Sequence, residues 1–190
     1  MREASVQLID QPEELIERIA VGDRDALEEL YERHRLPLLG YLRVLTSDHG
    51  LAEEILQDSL FAAWNGADRF SGESSARAWL YGIARRRARD AMRKRRFQFV
   101  DLASVEHVAA SEPEPDDIVL VNAGIEELAK AIDRLSAAHR EALILTFVHG
   151  LAYQELADVV GVPIGTVKSG LSNAKRALRD VLNETEEARR

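Results

Sequence analysis

Along almost the whole chain, apolar residues recur at steps of three and four, and runs in which Val, Ile or Thr alternate with polar residues are nearly absent. Steps of three and four keep side chains on one face of an α-helix, whereas a strand needs a step of two. The pattern restricts the chain to an all-α fold and divides it into two halves. In the first, helices are expected from Pro12 to Val21, then from a cap at Asp23 with Ala26, Leu27, Leu30 and Tyr31 facing inward. Further helices are expected from Leu36 to Leu45 after a break near Pro37, from Leu51 to Trp64 with Asp48 or Gly50 opening it, and from Ala76 to Arg96. In the second half, helices are expected over 117–135, 137–149, 153–160 and 164–182, with Ser136 capping the second and Gly150 ending it.

Between the halves the composition changes. From Phe97 to Ala129 there is no Lys or Arg, and eight acidic residues fall there, among them Glu112, Glu114, Asp116 and Asp117. The run "SEPEPDD", with two prolines, reads as an exposed linker whose acids also suit the start of a helix near Asp117. "FQFVDLASVEHV" is too apolar for pure linker, so part of it is expected to pack on a domain.

The chain of 190 residues carries a net charge of −8, which argues against indiscriminate coating of nucleic acid but leaves room for local basic patches. It has no cysteine, which excludes disulfides, thiol catalysis and cysteine-ligated zinc. No apolar run approaches the roughly 20 residues of a membrane span, and the acidic N-terminus lacks signal-peptide features, so a cytoplasmic protein without membrane insertion is expected.

"GLAYQELADVVGVPIGTVKSGLSNAKRAL" has the pattern of a helix-turn-helix. Ala157 is small enough for two helix backbones to cross, and Gly161 suits the tight turn. Leu156, Ala157 and Val160 are expected on the inner side of the first helix. Val167, Leu171, Ala174 and Leu178 form one stripe to bury in the second. Ser169, Ser172, Asn173 and Arg176 point outward, with Lys168, Lys175 and Arg179 on the flanks where phosphates are met. Taken alone, the pattern also fits a helical hairpin with a solvated polar face.

Two other segments concentrate charge. "ARRRARDAMRKRR" holds eight basic residues, Arg85, Arg86, Arg87, Arg89, Arg93, Lys94, Arg95 and Arg96, opposed only by Asp90. Phosphate contacts account for such a helix, and so does a solvated or acid-binding face. Phe70, Trp79 and Tyr81 nearby are candidates for stacking on exposed bases, with core packing the stronger role for the Trp79 indole. "DHGLAEEILQDSLFAAW" has no Lys or Arg and leaves Glu53, Glu54, Gln57, Asp58 and Phe61 outside. Taken alone, that face is better read as solvated than as a docking site.

In order and spacing, "ALEELYERH", "AEEILQDSLFAAW", "FSGESSARAWLYGIARRRARDAMRKRR", "LSAAHREALIL" and the helix-turn-helix resemble a bacterial sigma factor of the extracytoplasmic-function group, over roughly Ala20 to Leu182. The resemblance implies two small helical domains joined by a flexible acidic linker: a sigma domain 2 helical bundle over 1–97, the linker over 98–116 and a sigma domain 4 helix-turn-helix over 117–185. It implies that Glu53, Glu54, Gln57 and Asp58 dock on the β′ clamp helices of core RNA polymerase, reversing the reading of that face as merely solvated. Phe70, Ser74, Trp79, Arg85, Arg86, Arg89 and Arg93 would open and read the downstream promoter box, holding a flipped base between loop and helix. Thr166, Lys168, Ser169, Ser172, Asn173 and Arg176 would read the upstream box, with the β flap as a second polymerase contact. The implied partners are core RNA polymerase, promoter DNA and an anti-sigma factor. No catalytic residue, metal or cofactor is implied, and the acidic linker would run toward the RNA exit path.

The sequence departs from the family pattern at Gly170 and Asn173, where many relatives carry arginine, at Ala152, where a Ser or Thr cap is common, and at Arg86, where many have Asn. These departures predict a weaker upstream contact and leave downstream base readout less defined. A stand-alone repressor accounts for the helix-turn-helix but not for the other segments. A decoy that binds polymerase without reading DNA draws some support from Gly170 and Asn173. An enzyme finds none, since the five histidines have no ligand or triad spacing and there is no phosphate loop.

Overall fold

The computed structural model describes residues 12–101 and 123–187, and among these there is no strand. Eight α-helices follow in order: α1 (Pro12–Ala20), α2 (Arg24–Thr46), α3 (His49–Gly66), α4 (Ala76–Asp101), α5 (Ala123–Asp133), α6 (Ala137–Leu143), α7 (Tyr153–Val160) and α8 (Ile164–Glu187). A 3-10 turn, Ala67–Arg69, follows α3, and a π-helical turn, Ile144–Val148, prolongs α6. The helix start expected near Asp117 and most of the expected linker lie outside the described residues. α4, however, runs five residues past Arg96 and through the first positions assigned to that linker.

Local signals explain most boundaries. The Asp23 carboxylate accepts the Asp25 and Ala26 N–H groups at the start of α2. Asp48, rather than Gly50, caps α3 by accepting the Leu51 N–H at 2.8 Å. Ser136 caps α6 through the His139 N–H. Gly161 closes α7 at φ +72°, a left-handed conformation that costs glycine little and other residues more.

Two boundaries went against the sequence. Pro37 was expected to interrupt a helix, yet α2 continues through it. Proline removes one backbone donor and crowds the preceding turn. Burial on both sides offsets that cost: Leu30, Leu38, Tyr41 and Leu42 are at most 1% exposed, and each fully buried side chain of this size contributes about 1.5–3 kcal/mol. The helix expected over 137–149 is α only to Leu143; beyond it the His149 N–H reaches back five residues to Ile144. The wider turn lets Leu145 bury completely while Phe147 and Val148 stay exposed.

α1 to α4 form one bundle and α5 to α8 a second. The two are packed together, α4 along α7 and α2 against α6, over a continuous apolar core that runs from Leu15 and Ile55 to Leu156 and Leu171. In α7 Leu156, Ala157 and Val159 are buried; Val160, expected inside, is only partly so. In α8 Val167, Leu171 and Ala174 of the expected stripe are buried, and Leu178, its last member, is only partly so.

Candidate nucleic-acid interface

α3 sorts its residues cleanly. Leu51, Ala52, Ile55, Leu56, Ser59, Leu60 and Ala63 face the core. Glu53, Glu54, Gln57 and Asp58 are all exposed, and beside them Phe61 keeps 69% of its surface in water. An exposed phenylalanine ringed by carboxylates is an apolar anchor inside an acidic face.

The α4 helix carries the cations. Ala76, Ala78, Leu80, Ala84 and Ala88 bury its inner side. Arg86, Arg87, Arg89, Arg93, Lys94 and Arg95 are exposed. Arg93 pairs with Asp90, and Arg95 reaches the α3 cap Asp48 at 2.5 Å. The Leu51 N–H and then Arg95 hold the Asp48 carboxyl below its ordinary range. Among the described residues no carboxylate pairs with Arg86, Arg87, Arg89 or Lys94, so four cations on one helix are available to a polyanion. In the preceding loop, Phe70 packs on Trp79 with ring centroids 5.4 Å apart and planes tilted by 56°. Both rings and Ser74 are partly exposed. Tyr81, considered for base stacking, is 1% exposed and belongs to the core.

In α8 Thr166, Lys168, Ser169, Ser172, Asn173 and Arg176 are exposed together on the face opposite the buried stripe. Asn173 Oδ1 accepts from Arg176 Nη2 at 2.8 Å and so orients that guanidinium. Lys175 lies over the exposed Phe147 ring, 4.8 Å from its centroid. A Cβ placed on Gly170 would meet nothing within 4 Å, so no close contact requires glycine there. Ala152 offers no side-chain cap to α7, but Glu155 replaces half of one by accepting the Ala152 N–H at 2.8 Å.

Arg85 alone among the assigned cations is turned into the protein. Its side chain is 16% exposed and that of Glu141, on α6, 11%. Arg85 Nε and Nη2 donate to the two Glu141 oxygens at 2.8 and 3.2 Å, and Tyr41 Oη donates to Glu141 Oε1 at 2.7 Å. Burial is the largest influence and pushes the guanidinium pKa down, but the hydrogen bond to Glu141, the Glu141 charge and Tyr41 together outweigh it and leave it above its ordinary value. Burial and then Glu141 push the Tyr41 hydroxyl far up. Alongside, Tyr81 Oη lies 3.0 Å from His149 Nδ1. Residue spacing gave no sign of Glu141, Tyr41 or His149, because each acts across the join between the two bundles. Beside the pair, Arg85, Arg86, Arg89 and Arg93 face Asp158 and Gly161 of the helix-turn-helix across a cleft of about 590 Å³.

A cationic helix and an acidic face on one bundle, with a helix-turn-helix on the other, define a two-part DNA-binding protein of the transcription apparatus. The chain belongs to the extracytoplasmic-function family of RNA polymerase sigma factors, which direct core polymerase to initiate at promoters. Residues 30–98 match Sigma-70 region 2 and residues 125–178 match Sigma-70 region 4. The sigma factor SigL of Mycobacterium tuberculosis is 33% identical over 168 residues, which cover 87% of this chain and 93% of that protein. The sigma factor CnrH of Cupriavidus metallidurans is 29% identical over 91% of this chain and 95% of its own. The structure of CnrH in complex with the cytosolic domain of CnrY matches with a TM-score of 0.67 at 26% identity, covering 92% of this chain and 99% of that one. The sigma factor RpoE of Bartonella quintana, in complex with the anti-sigma factor NepR, matches with a TM-score of 0.67 at 31% identity, covering 82% of this chain and 98% of that one. Among the described residues no helix is long and apolar enough to cross a membrane.

Proposed function

We propose that this sigma factor divides its work among three surfaces. The acidic face of α3, Glu53, Glu54, Gln57 and Asp58 around Phe61, docks on the β′ clamp helices. The bundle within 1–97 opens the downstream box: Phe70, Ser74 and Trp79 hold an extruded base, and Arg85, Arg86, Arg89 and Arg93 follow the phosphates. The bundle within 117–185 reads the upstream box with Thr166, Lys168, Ser169, Ser172, Asn173 and Arg176, and meets the β flap. The protein acts by binding, without a catalytic step of its own, and works in the cytoplasm. An anti-sigma partner controls it, a reading supported by the complexes in which CnrH and RpoE of Bartonella were solved.

The observation that carries this reading is the separation of charge on neighbouring helices. No Lys or Arg occurs in α3, whereas α4 exposes four cations that have no carboxylate partner among the described residues. An acidic protein with such a helix binds DNA weakly when free, and core polymerase supplies the remaining affinity. The test adds the protein to core polymerase and sequences transcripts from a genomic template library. Promoter-specific starts are expected. Stable core binding without any specific start favours the decoy, and absence of core binding overturns the assignment of α3.

A further inference from the structure

We infer that the cleft of about 590 Å³ between α4 and the end of α7 is a binding site for a purine nucleoside triphosphate, with its phosphates on α4 and its base on α7. The two walls of the cleft have opposite character. On the α4 side Arg86 and Arg93, seven positions apart, lie along one line of the helix, with Arg89 beside them. They span about 10 Å along the axis, which suits a chain of phosphates better than a single one. Arg86 and Arg89 are exposed and have no carboxylate partner among the described residues. Arg93 pairs with Asp90 at the surface, where an ion pair is worth little, so a phosphate can take its place. Arg85 is already held by Glu141.

On the α7 side stand Asp158 and the end of the helix at Val159, Val160 and Gly161. A helix C-terminus carries partial negative charge and Asp158 adds a full one, so this wall repels phosphate and receives hydrogen-bond donors. Asp158 accepts from Gln154 Nε2 at 3.1 Å, which orients the carboxylate and leaves it further lone pairs. Val159 and Val160 add apolar surface on which a flat ring can rest. A ligand that satisfies both walls is anionic at one end, and flat and amino-bearing at the other. A purine nucleotide with an exocyclic amine meets both demands, whereas inorganic polyphosphate meets only the first. The volume lies within the range of small-molecule sites and admits two fused rings. Gly82 forms part of the α4 wall. Glycine weakens a helix interior, and an added Cβ would meet nothing within 4 Å, so packing does not require glycine there. The space that it keeps open belongs to the cleft.

The test is titration calorimetry on the full chain without polymerase or DNA, so its outcome does not depend on the roles proposed for α3 and α8. ATP and GTP are expected to bind saturably. Inosine triphosphate, which carries the same phosphates on a purine without an amine, should bind severalfold more weakly, and tripolyphosphate more weakly still. Asp158→Ala should erase the difference between ATP and inosine triphosphate. Arg89→Gln, at an exposed position, should weaken ATP binding on the order of tenfold, the size of one charged hydrogen-bonded contact. Gly82→Leu fills the cleft, keeps every cation and should abolish binding, with its melting temperature measured to show that it is folded. Absence of saturable ATP and GTP binding overturns the inference. So does tripolyphosphate binding as tightly as ATP, which marks an adventitious ion only, and so does unchanged ATP affinity in folded Gly82→Leu. An ATP preference over inosine triphosphate that survives in Asp158→Ala overturns it as well, whether or not Gly82→Leu folds.

Discussion

Ser75 Oγ donates a 2.5 Å hydrogen bond to Glu155 Oε1, while the other Glu155 oxygen accepts the Ala152 N–H at 2.8 Å. The same hydroxyl accepts the Ala78 N–H at 3.1 Å, so one short bond ties together the first turns of α4 and α7. Ser75→Ala is expected to cost about 1 kcal/mol, a typical N-cap loss, and Glu155→Ala about 1–2 kcal/mol. Because the residues share a bond, the double variant should lose less than the sum. Urea unfolding of the two single variants and the double variant checks this.

On α3 the prediction is loss of binding without loss of stability. Glu54→Arg and Asp58→Arg change exposed side chains, and such surface changes shift folding by about 0.5 kcal/mol or less. Each should weaken core polymerase binding severalfold, read by gel filtration or fluorescence titration, at an unchanged melting temperature. A fall in both would mean that the face supports the bundle rather than a partner.

In α8, Gly170→Arg adds a cation where a side chain meets open space and gains roughly 0.8 kcal/mol of helix propensity. Asn173→Arg adds a second but removes the acceptor that orients Arg176. Gly170→Arg should therefore tighten upstream-box binding more than Asn173→Arg does, and steepen the salt dependence by about 0.9 for each new phosphate contact. Titrations of the isolated box at several salt concentrations distinguish the two.

Much of this was legible in the sequence for a definite reason. Caps, the Gly161 turn and the buried stripes of α3 and α8 are set by residues within a few positions of one another, so the spacing displays them. Pro37 misled because its local cost is offset by Leu38, Tyr41 and Leu42 packing on distant helices. Arg85 has the sequence signature of every other arginine on α4, and nothing near it announces Glu141, 56 residues away. The Glu155 half-cap escaped notice because Ala152 has no side chain that can serve.

A pH response follows from His149. Burial and then the Arg77 charge hold its pKa below the ordinary 6.5. Tyr81, raised to about 12 by burial, and the Tyr41 ring also face it and stay neutral in this range. A histidine with a depressed pKa favours the packed state while neutral. That contribution is complete above pH 6.5 and is lost as pH falls from there through the lowered value. Stability of the full chain to urea should fall as pH drops below this point, and His149→Gln should flatten the response.

Gly161 gives α8 the properties of a lever. A three-residue turn, Gly161 to Pro163, opened by one left-handed residue, joins α7, packed along α4, to a helix of 24 residues, about 36 Å long. A swing of about 10° at that pivot carries the far end roughly 6 Å, close to the rise of two base pairs. The near part, which carries Thr166 to Arg176 and buries Val167, Leu171 and Ala174, moves far less, so such a swing leaves the residues assigned to DNA almost in place.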